Sequence, residues 1–128
     1  MVPPSDFADD GADRAIADLM GIEVSTLNGD AAVVRVTGEV DGYTAPVFQR
    51  AVDEGFSQGG HRVLIDLDRV EFFGTGGLAV LVEARARALR EKVGLFLVCS
   101  NRIVLRPIEL AGLIELFSVR TSAETALS

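Results

Sequence analysis

This 128-residue sequence predicts a single α/β domain: a mixed β-sheet, opened by an antiparallel hairpin, with about four helices packed against it. Three observations predict it. Two short β-rich segments flank an Asn28-Gly29-Asp30 turn near the start, which is a hairpin signature. Two nearly continuous aliphatic runs, at residues 62–67 and 95–99, read as strands covered on both faces. Helical apolar spacings alternate with these runs, and that alternation implies βαβ crossovers.

Taken in order, residues 1–18 are rich in Pro, Asp, Gly and Ser at their start and read as a flexible tail. The spacing of Ile16, Leu19 and Met20 predicts a short helix over 12–20 at its end. Residues 19–128 form the domain itself. Ile22-Glu23-Val24 alternates, and Ala32-Val33-Val34-Arg35-Val36 is its hairpin partner. A first core helix follows, with Val47, Phe48, Ala51, Val52 and Phe56 on one face. Thr44 is placed to cap it, Pro46 is tolerated in its first turn, and Gln58-Gly59-Gly60 ends it. Arg62-Val63-Leu64-Ile65-Asp66-Leu67 is the clearest strand. A long helix is predicted over 75–92, with Leu78, Leu81, Val82 and Leu89 as its apolar stripe, Leu78 and Leu81 in the core, and Glu83, Arg87, Arg90 and Glu91 outside the stripe. The strand at 95–99 leads to a helix capped by Ser100 or Asn101 and running to about Ala111. Pro107 should remove one backbone bond from this helix and bend it, and Gly112 ends it. Leu116-Phe117-Ser118-Val119 reads as an edge strand, and Ser122 caps a final helical turn.

Composition narrows the function. Twelve basic against nineteen acidic side chains give a formal charge of −7, which speaks against nucleic acid and suits a protein partner. No apolar run is long enough to span a bilayer, and the first residues carry no basic leader followed by an apolar stretch, so neither a membrane span nor a secretory signal is expected. The single cysteine, Cys99, can form no internal disulfide, and a reducing cytoplasm is the expected compartment.

Catalytic constellations are missing from the sequence. The only histidine, His61, sits at an exposed turn, and Cys99 ends an apolar strand, where burial is expected. Asp66 and Asp68 stand at i and i+2 at a strand end; turn capping and solvation are preferred to a metal role. The Gly74-Thr75-Gly76-Gly77 loop matches neither glycine-rich phosphate-loop pattern. No enzyme, cofactor or metal is therefore expected. Thr75 is what remains distinctive. It follows two phenylalanines and begins a long helix, with glycines at 74, 76 and 77 leaving its hydroxyl uncrowded. One reading is a plain helix cap. The other is a modification site, because a phosphate there would meet the free amides and dipole of the helix N-terminus.

Four blocks in order resemble the STAS-domain anti-sigma factor antagonists. They are Gly38-Glu39-Val40-Asp41, Val63-Leu64-Ile65-Asp66-Leu67, Val70-Glu71-Phe72-Phe73-Gly74-Thr75-Gly76-Gly77-Leu78, and Glu109-Leu110-Ala111-Gly112-Leu113. The resemblance spans residues 22–127. It implies a protein that binds an anti-sigma factor, often of serine-kinase type, and so frees a sigma factor. It also implies that the kinase phosphorylates Thr75 and that a phosphatase restores the active form. Gly74 stands where the family has an acidic residue, and Gly76 where it has Ser or Thr. The implied partner surface is Asp41, Gly42, Tyr43, Thr44, Gly74, Thr75, Gly76 and Gly77, with Arg85 and Arg87 as outlying contacts if they are not merely solvated. The expected partners are the anti-sigma factor and the phosphatase, with no nucleic acid or membrane, and the chain is expected to be a monomer or weak dimer. Two other roles fit the same fold: a STAS subunit of a larger signalling or lipid-transport assembly, and a nucleotide-binding STAS protein.

Overall fold

The structure is a computed structural model that describes residues 19–58 and 60–127. Five strands form one sheet: β1 (Met20–Leu27), β2 (Ala31–Val40), β3 (Arg62–Phe73), β4 (Gly94–Val98) and β5 (Ser118–Arg120). Their spatial order equals their chain order; β1 and β2 are antiparallel, and every later pair is parallel. Asn28 at φ 56° and Gly29 at φ 76° make the hairpin turn, as an Asn-Gly pair readily does. Four α-helices join or follow the strands: α1 (Ala45–Gln58), α2 (Thr75–Glu91), α3 (Arg102–Leu110) and α4 (Ala123–Leu127).

The larger core lies between one sheet face and α1, α2 and α3. Val34, Val36, Val63, Ile65, Leu67 and Leu97 of the sheet meet Phe48 and Val52 of α1, Leu81 and Ala84 of α2, and Val104 and Ile108 of α3. Side chains alternate across a strand, so Val33, Leu64 and Val98 face the other way, where α4 covers them with Ala126. Farther along that second face the sheet is charged. Arg35 bridges Glu23 at 3.1 Å and Asp66 at 3.3 Å.

Several expectations need correction. The helix expected over 12–20 falls mostly outside the described residues, and Met20 opens β1 instead. The third strand runs six residues beyond Leu67. Against the ten residues of β2 it has twelve, and the two extra residues are absorbed where the register shifts, between Arg35 and Thr37 and between Gly38 and Glu39. Each bulge flips the phase of the side chains. Leu67, Val70 and Phe73 can thus all enter the same core at steps of three, a spacing that conceals a strand.

The buried stripe of α2 is Gly77, Val80, Leu81, Ala84 and Ala88, whereas Val82 and Leu89 are exposed. Leu78 is only partly buried against the core. The edge strand starts at Ser118, because Ile114–Leu116 is a turn of 3-10 helix. Asn101 rather than Ser100 caps α3, its Oδ1 accepting from Ile103 N at 2.9 Å. Both aspartates of the β3 end are engaged. Asp66 pairs with Arg35, and Asp68 Oδ1 accepts from the backbone and hydroxyl of Ser100 at 2.8 and 3.1 Å.

Candidate partner-binding site

The segments around Thr75 meet at the carboxyl ends of β2 and β3. Val40 and Phe73 close the two strands as paired residues, and Gly74 N donates to Val40 O at 2.9 Å. The chain leaving β2 turns through 41–44 into α1, and the chain leaving β3 enters α2 at once. Gly74, at φ −107° and ψ −170°, is the N-cap of α2, and no side chain caps the helix there. Thr75 is therefore the first helical residue and not a cap. Its side chain is exposed and makes no hydrogen bond to any described residue. The first bonds of the helix run to Gly74 O from Gly77 N at 3.0 Å and Leu78 N at 3.2 Å. The amides of Thr75 and Gly76 are left as first-turn donors outside that ladder, where the helix dipole favours negative charge.

The glycines set how closely α2 approaches its neighbours. A Cβ on Gly76 would stand 2.9 Å from Asp41 O and 3.0 Å from Gly42 N, so only glycine lets the helix start rest on the 41–42 peptide. A Cβ on Gly77 would lie 2.6 Å from the Phe73 ring and 2.8 Å from Val40. Gly74 has an ordinary extended backbone that any residue could adopt. A Cβ there would stand 3.2 Å from the Phe72 ring, which therefore lies beside the position where the resemblance implies an acidic residue.

The 41–44 loop is stiff. Asp41 Oδ1 accepts from Tyr43 N at 2.9 Å and Thr44 N at 3.0 Å, an Asx-type turn. Asp41 N donates to Thr44 Oγ1 at 3.0 Å, and that hydroxyl donates to Glu39 O at 2.9 Å. Thr44 thus ties the loop back to β2 and offers nothing to the amides of α1, which corrects the expectation that its side chain caps that helix. Its carbonyl does accept from Val47 N and Phe48 N.

Of the eight residues expected to form a partner surface, Asp41, Gly42, Tyr43, Gly74, Thr75 and Gly76 reach solvent at this edge. Thr44 and Gly77 are buried, so they shape the surface from beneath and cannot touch a partner. Arg85 and Arg87 are committed elsewhere. Arg85 Nε donates to Leu116 O at 2.8 Å. Arg87 pairs with Asp53 and Glu91 and lies 4.6 Å over the Phe56 ring. Two exposed apolar features that sequence reasoning passed over lie near this edge: Phe72, 50% exposed beside Gly74, and the outer face of α2 with Val82 and Leu89. An aromatic next to a glycine-flanked threonine was the available signal for the first.

Reactive groups do not converge here. No cluster of three or more metal-ligating side chains exists among the described residues. His61 is exposed at its turn. Cys99 is buried, and burial is the main cause that pushes its thiol pKa up to about 11, assisted by Asp68 and Asp66 and opposed by the Asn101 backbone. Among the described residues, no helix is long and apolar enough to cross a membrane.

The described residues thus combine a mixed sheet with an opening hairpin, three helices on one face and an exposed hydroxyl at the start of the second. The STAS domain model matches residues 22–126, and the chain belongs to that family. It is 32% identical over 111 residues to the anti-sigma-F factor antagonist RsfB of Mycobacterium tuberculosis, covering 87% of this chain and 89% of that protein. The crystal structure of an anti-sigma factor antagonist from Mycobacterium paratuberculosis superposes with a TM-score of 0.74 at 32% identity, over 86% of this chain and 92% of that one. The anti-sigma factor antagonist SpoIIAA in its unphosphorylated form shares the fold, with a TM-score of 0.67 at 17% identity over 84% of this chain and 93% of its own.

Proposed function

We propose that this chain is an anti-sigma factor antagonist: the edge formed by Asp41–Tyr43, Phe72 and Thr75 binds an anti-sigma factor and so releases a sigma factor for transcription. The observation that carries the reading is the Thr75 hydroxyl, exposed and unbonded on the first residue of α2 and next to a loop pinned by Asp41. A loop held in this way by its own hydrogen bonds suits a preformed protein contact.

Phosphorylation of Thr75 switches the contact off. The partner's kinase activity transfers the γ-phosphoryl group of ATP: a P–Oγ1 bond forms at Thr75, the bond to the β-phosphate bridging oxygen breaks, ADP leaves, and the hydroxyl proton passes to a base on the kinase. The product carries about two negative charges where Thr75 was neutral. The free amides of Thr75 and Gly76 accommodate them without disturbing the fold, while a partner surface fitted to a small hydroxyl no longer docks. A phosphatase reverses the step. Gly74 supplies no carboxylate for the kinase to read, so recognition rests on the Asp41 loop and the Phe72 ring.

Intact-mass analysis after incubation with ATP and a kinase-type anti-sigma factor of the source organism tests this. One added phosphate, lost in Thr75→Ala, is expected, together with loss of binding in Thr75→Glu. Binding without any phosphate would keep the antagonist role and overturn phosphoregulation. Absence of binding by the unmodified chain would overturn both.

A further inference from the structure

Helix α2 has two apolar faces, and the core uses only one. Gly77, Val80, Leu81, Ala84 and Ala88 are buried. At about 100° per residue, Thr75, Ala79, Val82, Ala86 and Leu89 lie on the opposite side. They follow one another at steps of four, three, four and three residues. Here an amphipathic surface helix normally shows charge. Instead Val82 is 42% and Leu89 65% exposed, with small residues at 79 and 86 between them. Charges flank this stripe without interrupting it: Glu83 and Arg90 pair at 3.5 Å along one side, and Arg85 is held by Leu116 O on the other.

A four-three repeat of outward apolar residues is the seam that a second helix fills, large side chains acting as knobs and the small positions as holes. A strand has a period of two and does not match it. The seam is continuous with the face proposed above, because its first member is Thr75. Its last member, Leu89, borders a cleft between α2 and Leu116–Ser118 that is also lined by Val93, Leu95 and Phe117. From Thr75 to Leu89 it runs about 21 Å.

We propose that the anti-sigma factor lays a helix along this outward face of α2, in register with Thr75, Ala79, Val82, Ala86 and Leu89, with one apolar side chain in the terminal cleft. This rests on the antagonist reading. It adds that contact extends the full length of α2, and that a phosphate on Thr75 blocks one end of a helix–helix seam.

The test measures affinity for the anti-sigma factor with full-length wild type, Thr75→Glu, Val82→Asp and Leu89→Asp, each checked for unchanged circular dichroism. In parallel, a benzophenone photocrosslinking residue replaces Leu89. Both aspartate variants, exposed and remote from the core, are expected to bind about 10-fold or more weakly, as central apolar contacts do. The crosslink is expected to fall within a helix of the anti-sigma factor. Loss of binding in Thr75→Glu, with Val82→Asp and Leu89→Asp binding like wild type, would overturn the seam and leave the antagonist role intact. A crosslink to a second copy of the chain, or to its own residues 1–18, would overturn it as well. No binding by wild type would remove the antagonist reading and the seam with it.

Discussion

Asp41 separates two explanations of the loop beside Thr75, and the two substitutions Asp41→Ala and Asp41→Asn tell them apart. The structure makes Asp41 chiefly an acceptor, with Oδ1 receiving Tyr43 N at 2.9 Å and Thr44 N at 3.0 Å. Alanine removes both bonds. The exposed Tyr43 amide turns to water, at a cost of about 1 kcal/mol for the lost bond. Thr44 is fully buried, and its stranded amide adds roughly 1–3 kcal/mol. The sum, roughly 2–4 kcal/mol, lowers Tm by about 10 °C for a domain of this size. Asparagine presents a carbonyl in the same place and loses only the charge assistance, about 1 kcal/mol or less. Thermal and urea unfolding followed by far-ultraviolet circular dichroism read the global loss. The chain has no tryptophan and a single tyrosine, so tyrosine emission reads Tyr43, and thus this loop, alone. Were Asp41→Asn to cost as much as Asp41→Ala, acceptor geometry would be the wrong account of Asp41 and its charge would matter instead.

Gly76→Ala gains helix propensity of about 1 kcal/mol but drives a Cβ to 2.9 Å from Asp41 O, so a small net stability change with altered Tyr43 emission and weaker partner binding is expected; unaltered emission would show that the loop does not feel the helix. Cys99, with its thiol pKa pushed up to about 11, should react slowly with iodoacetamide at pH 8. Because the unfolded chain loses that proton first, near pH 9, chemical denaturation should show stability falling between about pH 9 and 11, and Cys99→Ala should flatten that decline. Leu81→Ala, in the fully buried stripe of α2, should cost roughly 2–5 kcal/mol by urea denaturation, whereas Leu89→Ala on the exposed side of the same helix should cost under about 1 kcal/mol.

How far the fold could be read from the sequence depended on periodicity. The hairpin was legible in Asn28-Gly29, and β3 and β4 in their aliphatic runs, because turn chemistry and two-sided burial leave local marks. The second half of β3 was not legible. Its bulges put Leu67, Val70 and Phe73 at steps of three, and only the pairing with β2 shows why one face receives them all. Val82 and Leu89 of the outer face of α2 were grouped in one apolar stripe with Leu81 for a related reason. Val82 and Leu89 are as apolar as Leu81, and a helix with two apolar faces does not announce which one the sheet will take. Small residues decide it here: Gly77, Ala84 and Ala88 let the backbone close on the sheet. At the candidate site, Thr75 and its glycines were visible in sequence. The burial of Thr44 depended on its hydroxyl bond to Glu39 O, a contact set by how the loop folds back.

The strand order 1-2-3-4-5 has a consequence for what such a domain can hold. Open α/β sheets bind small molecules in the crevice that opens where strand order reverses and successive crossovers go to opposite faces. Here each parallel strand is added beyond the last one, so right-handed crossovers send α1, α2 and α3 to the same face and no pair of loops is ever parted. The loops at the carboxyl ends of β2 and β3 instead stay in contact, Gly74 N bonded to Val40 O and Gly76 resting on the 41–42 peptide. Under the proposed switch, a phosphate on Thr75 would stand at the outer end of this edge, where a docking partner would meet it first.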